Sequence, residues 1–247
     1  TDDVNFIFEN FTKEINGKSK VRDAIINSYL ANLYQLYYNE NRWKIDSRTN
    51  VENQNTKDVR FWTEETINKA IHSHFKNALV PKSDLLSADI SDWKTILIDY
   101  NKDHKSADLT PTIYDIIVQD YVKYLRTIDD SSAQSLINEL IAINQSKNNK
   151  NAVLFNEFNA LNQTKNSITN SDYIDQKRTL SKKYPQAWFT AQVLGSLAID
   201  LSIDSENKIQ NTKEIFAIQQ TLSAQFPNSD EKRAIDDLVK RIKSKDF

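Results

Sequence analysis

Residues 25–49 read IINSYLANLYQLYYNENRWKIDSRT, and their pattern decides the fold class. Ile26, Leu30, Leu33 and Tyr37 recur at the spacing of one helix face, and Tyr29, Leu36 and Tyr38 widen that face well beyond a narrow stripe. A helix this broadly apolar is expected inside a helical core. It exits through Asn39, Asn41, Arg42, Trp43 and Lys44, where an indole and two cations sit beside the aromatic surface. On the packing reading Trp43 plugs the end of a bundle while Arg42 and Lys44 cap the last carbonyls, and Trp43→Ala would destabilise the fold by about 3–5 kcal/mol. On the binding reading the same three residues face a protein or sugar partner.

Composition points the same way. Only 2 glycines occur in 247 residues, where a usage of about 7% would give roughly 17. With 4 prolines, the chain has little from which to build the turns of a β-sandwich or barrel. Lys+Arg at 32 and Asp+Glu at 34 leave a formal charge of -2, mixed along the chain, with no basic stripe for a nucleic acid. No apolar run approaches the roughly 18 residues of a membrane span. Contact with a membrane is therefore expected only through an anchor upstream of Thr1, and the lack of Met reads as a processed segment. Without Cys there is no disulfide, no thiol nucleophile and no thiolate metal site.

Helical stripes recur almost throughout. Val4, Phe8, Phe11 and Ile15 form one that stops near Gly17. Thr63 with Glu64 and Glu65 caps another, which carries Ile67, Ile71, Phe75 and Ala78. After a break at Pro81, Leu86, Ile90, Trp93, Leu97 and Tyr100 continue, and Thr110-Pro111 is read as the cap of a helix bearing Ile113, Ile117, Tyr121, Tyr124 and Ile128. Asn50 to Lys57 and Asn101 to Asp108 read as loops. Asp129 to Ser132 divides an aromatic-rich part, 1–128, from a part made of helical hairpins, 129–247. Within the second part Leu136, Ile137, Leu140 and Ile141 form one face, and Leu154, Phe158 and Leu161 the next. Tyr184-Pro185 and Phe226-Pro227 recur 42 positions apart (227 − 185), with Leu180 matching Leu222 and Val193 matching Ile235. The whole predicts an all-α fold of about ten helices, stacked as antiparallel pairs in a TPR-like α-α superhelix.

Three blocks carry a family resemblance: LANLYQLYYNENRWKI with SRT following, DVRFWTEETI at 58–67, and TPTIYDIIVQDYVKYL at 110–125. In this order and spacing they resemble the helical region that precedes the macroglobulin domains in alpha-2-macroglobulin-family proteins of Bacteroidetes. The resemblance implies an extracytoplasmic envelope protein, periplasmic or an outer-membrane lipoprotein, whose β-rich domains entrap proteases. It also implies that a lipid-bearing cysteine precedes Thr1. Neither a thioester nor a macroglobulin domain is encoded here, since both Cys and β patterning are lacking. What it leaves for this chain is a non-catalytic scaffold that meets a protein partner or neighbouring macroglobulin domains.

Candidate chemistry is sparse. His72 and His74 stand two apart and point to different helix faces, unlike the i, i+4 pair of a helical zinc site, and His74 reads as a bonded core-edge imidazole. Glu64 with Glu65, and Asp99 with Asp103, are carboxylate pairs without a flanking motif that would fix their geometry. Two glycines cannot form a phosphate-cradling loop, and no cofactor is expected. The residues left for a partner are Arg42, Trp43, Lys44 and Trp188, which follows Pro185 and is placed to cover a groove end between repeats. A stand-alone TPR-like adaptor for an envelope protein or peptide, a glycan-binding surface lipoprotein and an all-α enzyme remain as other readings.

Overall fold

Side-chain caps set several of the helix starts in the computed structural model, which describes residues 3–48, 57–97 and 104–245. All regular structure there is helical: 12 helices and no strand. The chain divides into two compact units, residues 1–136 and 137–247.

The first unit holds α1 (Asp3–Glu14), α2 (Lys20–Ile45), α3 (Glu64–Leu79), α4 (Lys82–Ser87), α5 (His104–Leu109) and α6 (Ile113–Thr127), with 3₁₀ turns at Val59–Phe61 and Ile90–Trp93. Gly17 takes φ +75 between α1 and α2, a left-handed conformation that glycine adopts without strain. Ser19 then caps α2 by accepting from the Arg22 N–H at 3.3 Å. Thr63 caps α3 as its sequence predicts. α2 and α3 lie along one another, and α6 packs against both. Leu30, Ile67, Ile71, Phe75, Ala78, Ile113 and Ile117 are buried between them. Aromatic rings extend this core, with Phe8 stacked on Tyr34 at 4.1 Å, Tyr34 on Trp62 at 5.4 Å and Phe75 on Tyr121 at 4.8 Å.

The second unit follows from α7 (Ser132–Ser146), in which the division falls, and comprises α8 (Lys150–Thr164), α9 (Asn170–Lys183), α10 (Thr190–Ile203), α11 (Lys208–Gln225) and α12 (Asp230–Lys245). Its repeat is real in three dimensions. α9 ends at Tyr184 and α11 at Phe226, each aromatic serving as C-cap before its proline, and Leu180, Leu222, Val193 and Ile235 are all buried. α9 packs on α10 and α11 on α12, while α10 also meets α11 and α12, which is how stacked pairs share one core. At the α10–α12 crossing a Cβ on Gly195 would lie 3.1 Å from Glu231 Cγ, so this glycine permits a close approach.

Four expectations need correction. The cap of α6 is Thr112, not Thr110: Asp115 stands three residues on, donates its N–H to Thr112 Oγ1 at 3.2 Å and accepts the Thr112 hydroxyl, a reciprocal box that Thr110-Pro111 lacks. Residues 104–109 are helical where a loop was expected, since no glycine or proline interrupts them. The stripe beginning at Leu86 is not one helix. It breaks at Ala88, in extended conformation, and Leu85 rather than Leu86 is buried. The last correction concerns Trp43. The Asn50–Lys57 loop lies almost wholly outside the described residues, as does Tyr100.

Candidate functional site

α2 remains one unbroken helix to Ile45, and that continuity decides what its end presents. Tyr34 and Ile45 are both buried and lie eleven residues apart, close to the same face at about 100° per residue. Trp43 is nine residues from Tyr34, roughly half a turn away. It therefore points outward and is 73% exposed, which overturns the reading of Trp43 as a plug. Ile45 closes the core in its place. Lys44 holds its ammonium 5.2 Å from the Trp43 ring centroid, and Arg42 Nε donates to Asp46 Oδ2 at 3.3 Å. The two cations thus flank the indole, one on its face and one drawn toward Asp46.

Asp46 belongs to a cleft of about 590 Å³ between the end of α2 and the start of α3, lined also by Ile45, Arg48, Thr63, Glu64, Glu65, Asn68, Lys69 and His72. Most of its charges are spoken for. Lys69 Nζ bonds Glu65 Oε1 at 2.6 Å, Arg48 Nη1 donates to the Trp62 carbonyl at 2.6 Å, and the Tyr38 hydroxyl lies 2.9 Å from Glu64 Oε1 and 3.2 Å from Asp46 Oδ1. Burial together with those two carboxylates pushes the Tyr38 phenol up to about 12. Asn68 and His72, one helical turn apart on α3, each give one atom to an aromatic of α6: Tyr124 donates to Asn68 Oδ1 at 3.0 Å, and His72 Nδ1 sits 2.9 Å from the Tyr121 hydroxyl. Asn68 Nδ2 and His72 Nε2 have no partner among the described residues. Burial holds the His72 imidazole below its ordinary pKa, with Asp130 opposing and Lys76 assisting.

Such a surface suits polar recognition beside an aromatic-cationic knob. His74 is bonded to Asn27 Oδ1 at 2.9 Å and stacked on Tyr34 at 5.6 Å, the core-edge imidazole that its place on α3 predicts. Burial lowers its pKa too. Glu64 and Glu65 both line the cleft but turn to different partners, and the Asp99–Asp103 pair and the His104 side chain lie outside the described residues. Among the described residues no group of His, Cys, Asp and Glu is placed to hold a metal ion, and no helix is long and apolar enough to cross a membrane.

Trp188 is half-buried in the turn before α10 and meets Phe189 edge-on at 5.8 Å; it belongs to the second unit, and Arg42, Trp43 and Lys44 to the first. Sequence reasoning missed Lys177 altogether. Its side chain is 2% exposed, bonded to Asp200 and, at 2.7 Å, to Ser196 Oγ, with the Tyr173 ring centroid 4.5 Å from the ammonium. A signal was present: Tyr173, Ile174, Lys177, Leu180 and Ser181 occupy the i, i+1, i+4, i+7, i+8 positions of one buried face.

Compared with family models, curated proteins and solved structures, the chain matches none.

Proposed function

We propose that this chain is a non-catalytic helical scaffold whose α2 end, built on Trp43 with Arg42 and Lys44, captures a protein partner. The observation that carries this reading is the 73% exposure of Trp43 between two cations on a rigid helix. Trp and Arg are the side chains that most often anchor interfaces, because they bury much surface for little lost freedom. The setting that the three quoted sequence blocks favour is an alpha-2-macroglobulin-like, protease-trapping envelope protein, extracytoplasmic and anchored upstream of Thr1. There the partner is a second envelope protein or the macroglobulin domains of the same chain. A second reading, a TPR-like adaptor for an envelope protein or peptide, rests on the stacked pairs α9–α10 and α11–α12.

Site-specific photo-crosslinking in the intact envelope tests the proposal. A photoreactive amino acid in place of Trp43 is expected to give one dominant protein adduct. The same group in place of Val80, which is 78% exposed on the same unit, is expected to give none. Equal, diffuse labelling from both positions refutes it. A dominant adduct within a longer form of this chain favours the macroglobulin setting, and an adduct with a separate protein favours the adaptor.

A further inference from the structure

In the second unit a pocket of about 360 Å³ opens where α10 ends, α11 begins and α12 passes. Leu201, Ile215, Leu238 and Ile242 supply its apolar lining, and Lys208 and Arg241 its positive charge. Neither cation has a carboxylate partner among the described residues. In the cleft of the first unit Lys69 is paired with Glu65, and in the groove between α8 and α9 Lys183 is paired with Glu157. The one carboxylate in the pocket, Asp204, is committed to Asn211 Nδ2 at 2.9 Å. α11 starts at Lys208 without a side-chain cap from Asn207, and the positive end of its dipole adds to the same field. Next in sequence to lining residues are Ile203, 75% exposed, and Ile209, 77% exposed, with Ile199 one turn before Ile203 on α10.

We propose that this pocket binds an acidic peptide segment of a partner protein, in which a Glu or Asp carboxylate lies next to large apolar side chains. Charge complementarity selects the acid: two uncommitted cations gain a charge-assisted bond each from a carboxylate. The apolar lining selects its neighbours. A purely apolar partner would bury two unpaired charges, and a nucleic-acid backbone would leave the lining and the isoleucines without contact. The volume sits near the lower end of ligand pockets, about 300–1,000 Å³, and admits one or two side chains rather than a whole domain face.

The test uses the whole chain and a fluorescein-labelled, N-acetylated, C-amidated peptide bearing a central Glu-Leu-Phe, followed by anisotropy. Saturable binding is expected, weakening about tenfold when the peptide Glu is changed to Gln and falling with added salt. Arg241→Gln should weaken it about fivefold or more with an unchanged thermal midpoint, since this side chain lines the pocket and is exposed on the folded surface. Trp43→Ala should leave it unchanged, which separates this site from the one at the end of α2. Absence of saturation up to about 1 mM, or equal binding of the Glu and Gln peptides, overturns the proposal. So does binding of decanoate that displaces the peptide at equal concentration, which would make the site one for a fatty acid.

Discussion

Replacing Trp43 and Phe75 separately by Ala sets two aromatic truncations in one unit against each other. Trp43 is 73% exposed, so 27% of its surface is covered, which for a side chain of about 250 Å² is roughly 70 Å². At about 25 cal/mol per Å² that contributes at most about 1.7 kcal/mol. The cation–π contact with Lys44 adds about 0.5 kcal/mol, and the better helix propensity of Ala returns about the same. The expected loss is therefore about 2 kcal/mol or less. Phe75 is 0% exposed and stacked on Tyr121 and Tyr124, so its truncation leaves a cavity and should lose about 3–5 kcal/mol. Urea unfolding followed by far-UV circular dichroism reads both, and the transition displaced by Phe75→Ala identifies the first unit if the two units melt separately. A loss of about 3 kcal/mol or more in Trp43→Ala refutes the placement of the α2 end, and one below about 2 in Phe75→Ala refutes the packing of α3 on α6.

Lys177→Ala should destabilise the second unit by about 3 kcal/mol, because it leaves Asp200 only the exposed Lys165 as a partner and opens a void. Lys177→Met combined with Asp200→Leu should recover most of that in the same urea titration. Gly195→Leu should lower the thermal midpoint by an amount equivalent to about 1–3 kcal/mol, since side-chain atoms would be forced against Glu231, whereas Gly195→Ala should be near neutral. Burial lowers the folded pKa of His72 and His74, so the unfolded chain binds more protons below the ordinary histidine value. Their contribution is fully present well above the ordinary histidine value of about 6.5 and is lost as pH falls below it; His74→Gln should flatten the fall of the urea midpoint on the acid side of neutrality.

Helix class was legible because two glycines leave a chain few alternatives, and the repeat at Pro185 and Pro227 was legible because aromatic-proline pairs end helices for local reasons. What escaped was phase. The apolar residues near Trp43 surround α2 on all sides, and only tertiary packing shows that Ile45, not Trp43, turns to the core. The cap of α6 was misplaced by two residues because Thr110 and Thr112 are equally good acceptors; Asp115 breaks the tie. As for sites, Arg42 and Lys44 could be singled out by their place beside an indole. The cleft they adjoin could not, because Asp46, Glu64, Asn68 and His72 meet only when α2 and α3 are laid together. Lys208 and Arg241 are 33 residues apart (241 − 208) and look like ordinary surface cations until α11 and α12 bring them to one pocket.

Some of the exposed apolar residues have a local cause and others do not. Val80 and Ile128 are C-caps, where a side chain follows its helix out of the core and needs no further reason. Trp43 differs, since the Lys44 ammonium stands over its ring, and Ile203 and Ile209 adjoin in sequence residues that line the α10–α11–α12 pocket. Leaving an indole or an isoleucine in water forgoes about 1.5–3 kcal/mol that a buried position would supply. Serine or lysine at the same three positions would keep every helix in place and remove an aggregation risk. An apolar group next to a positive charge loses that disadvantage only when a surface of matching character covers it, and an aromatic or aliphatic segment with a carboxylate has that character.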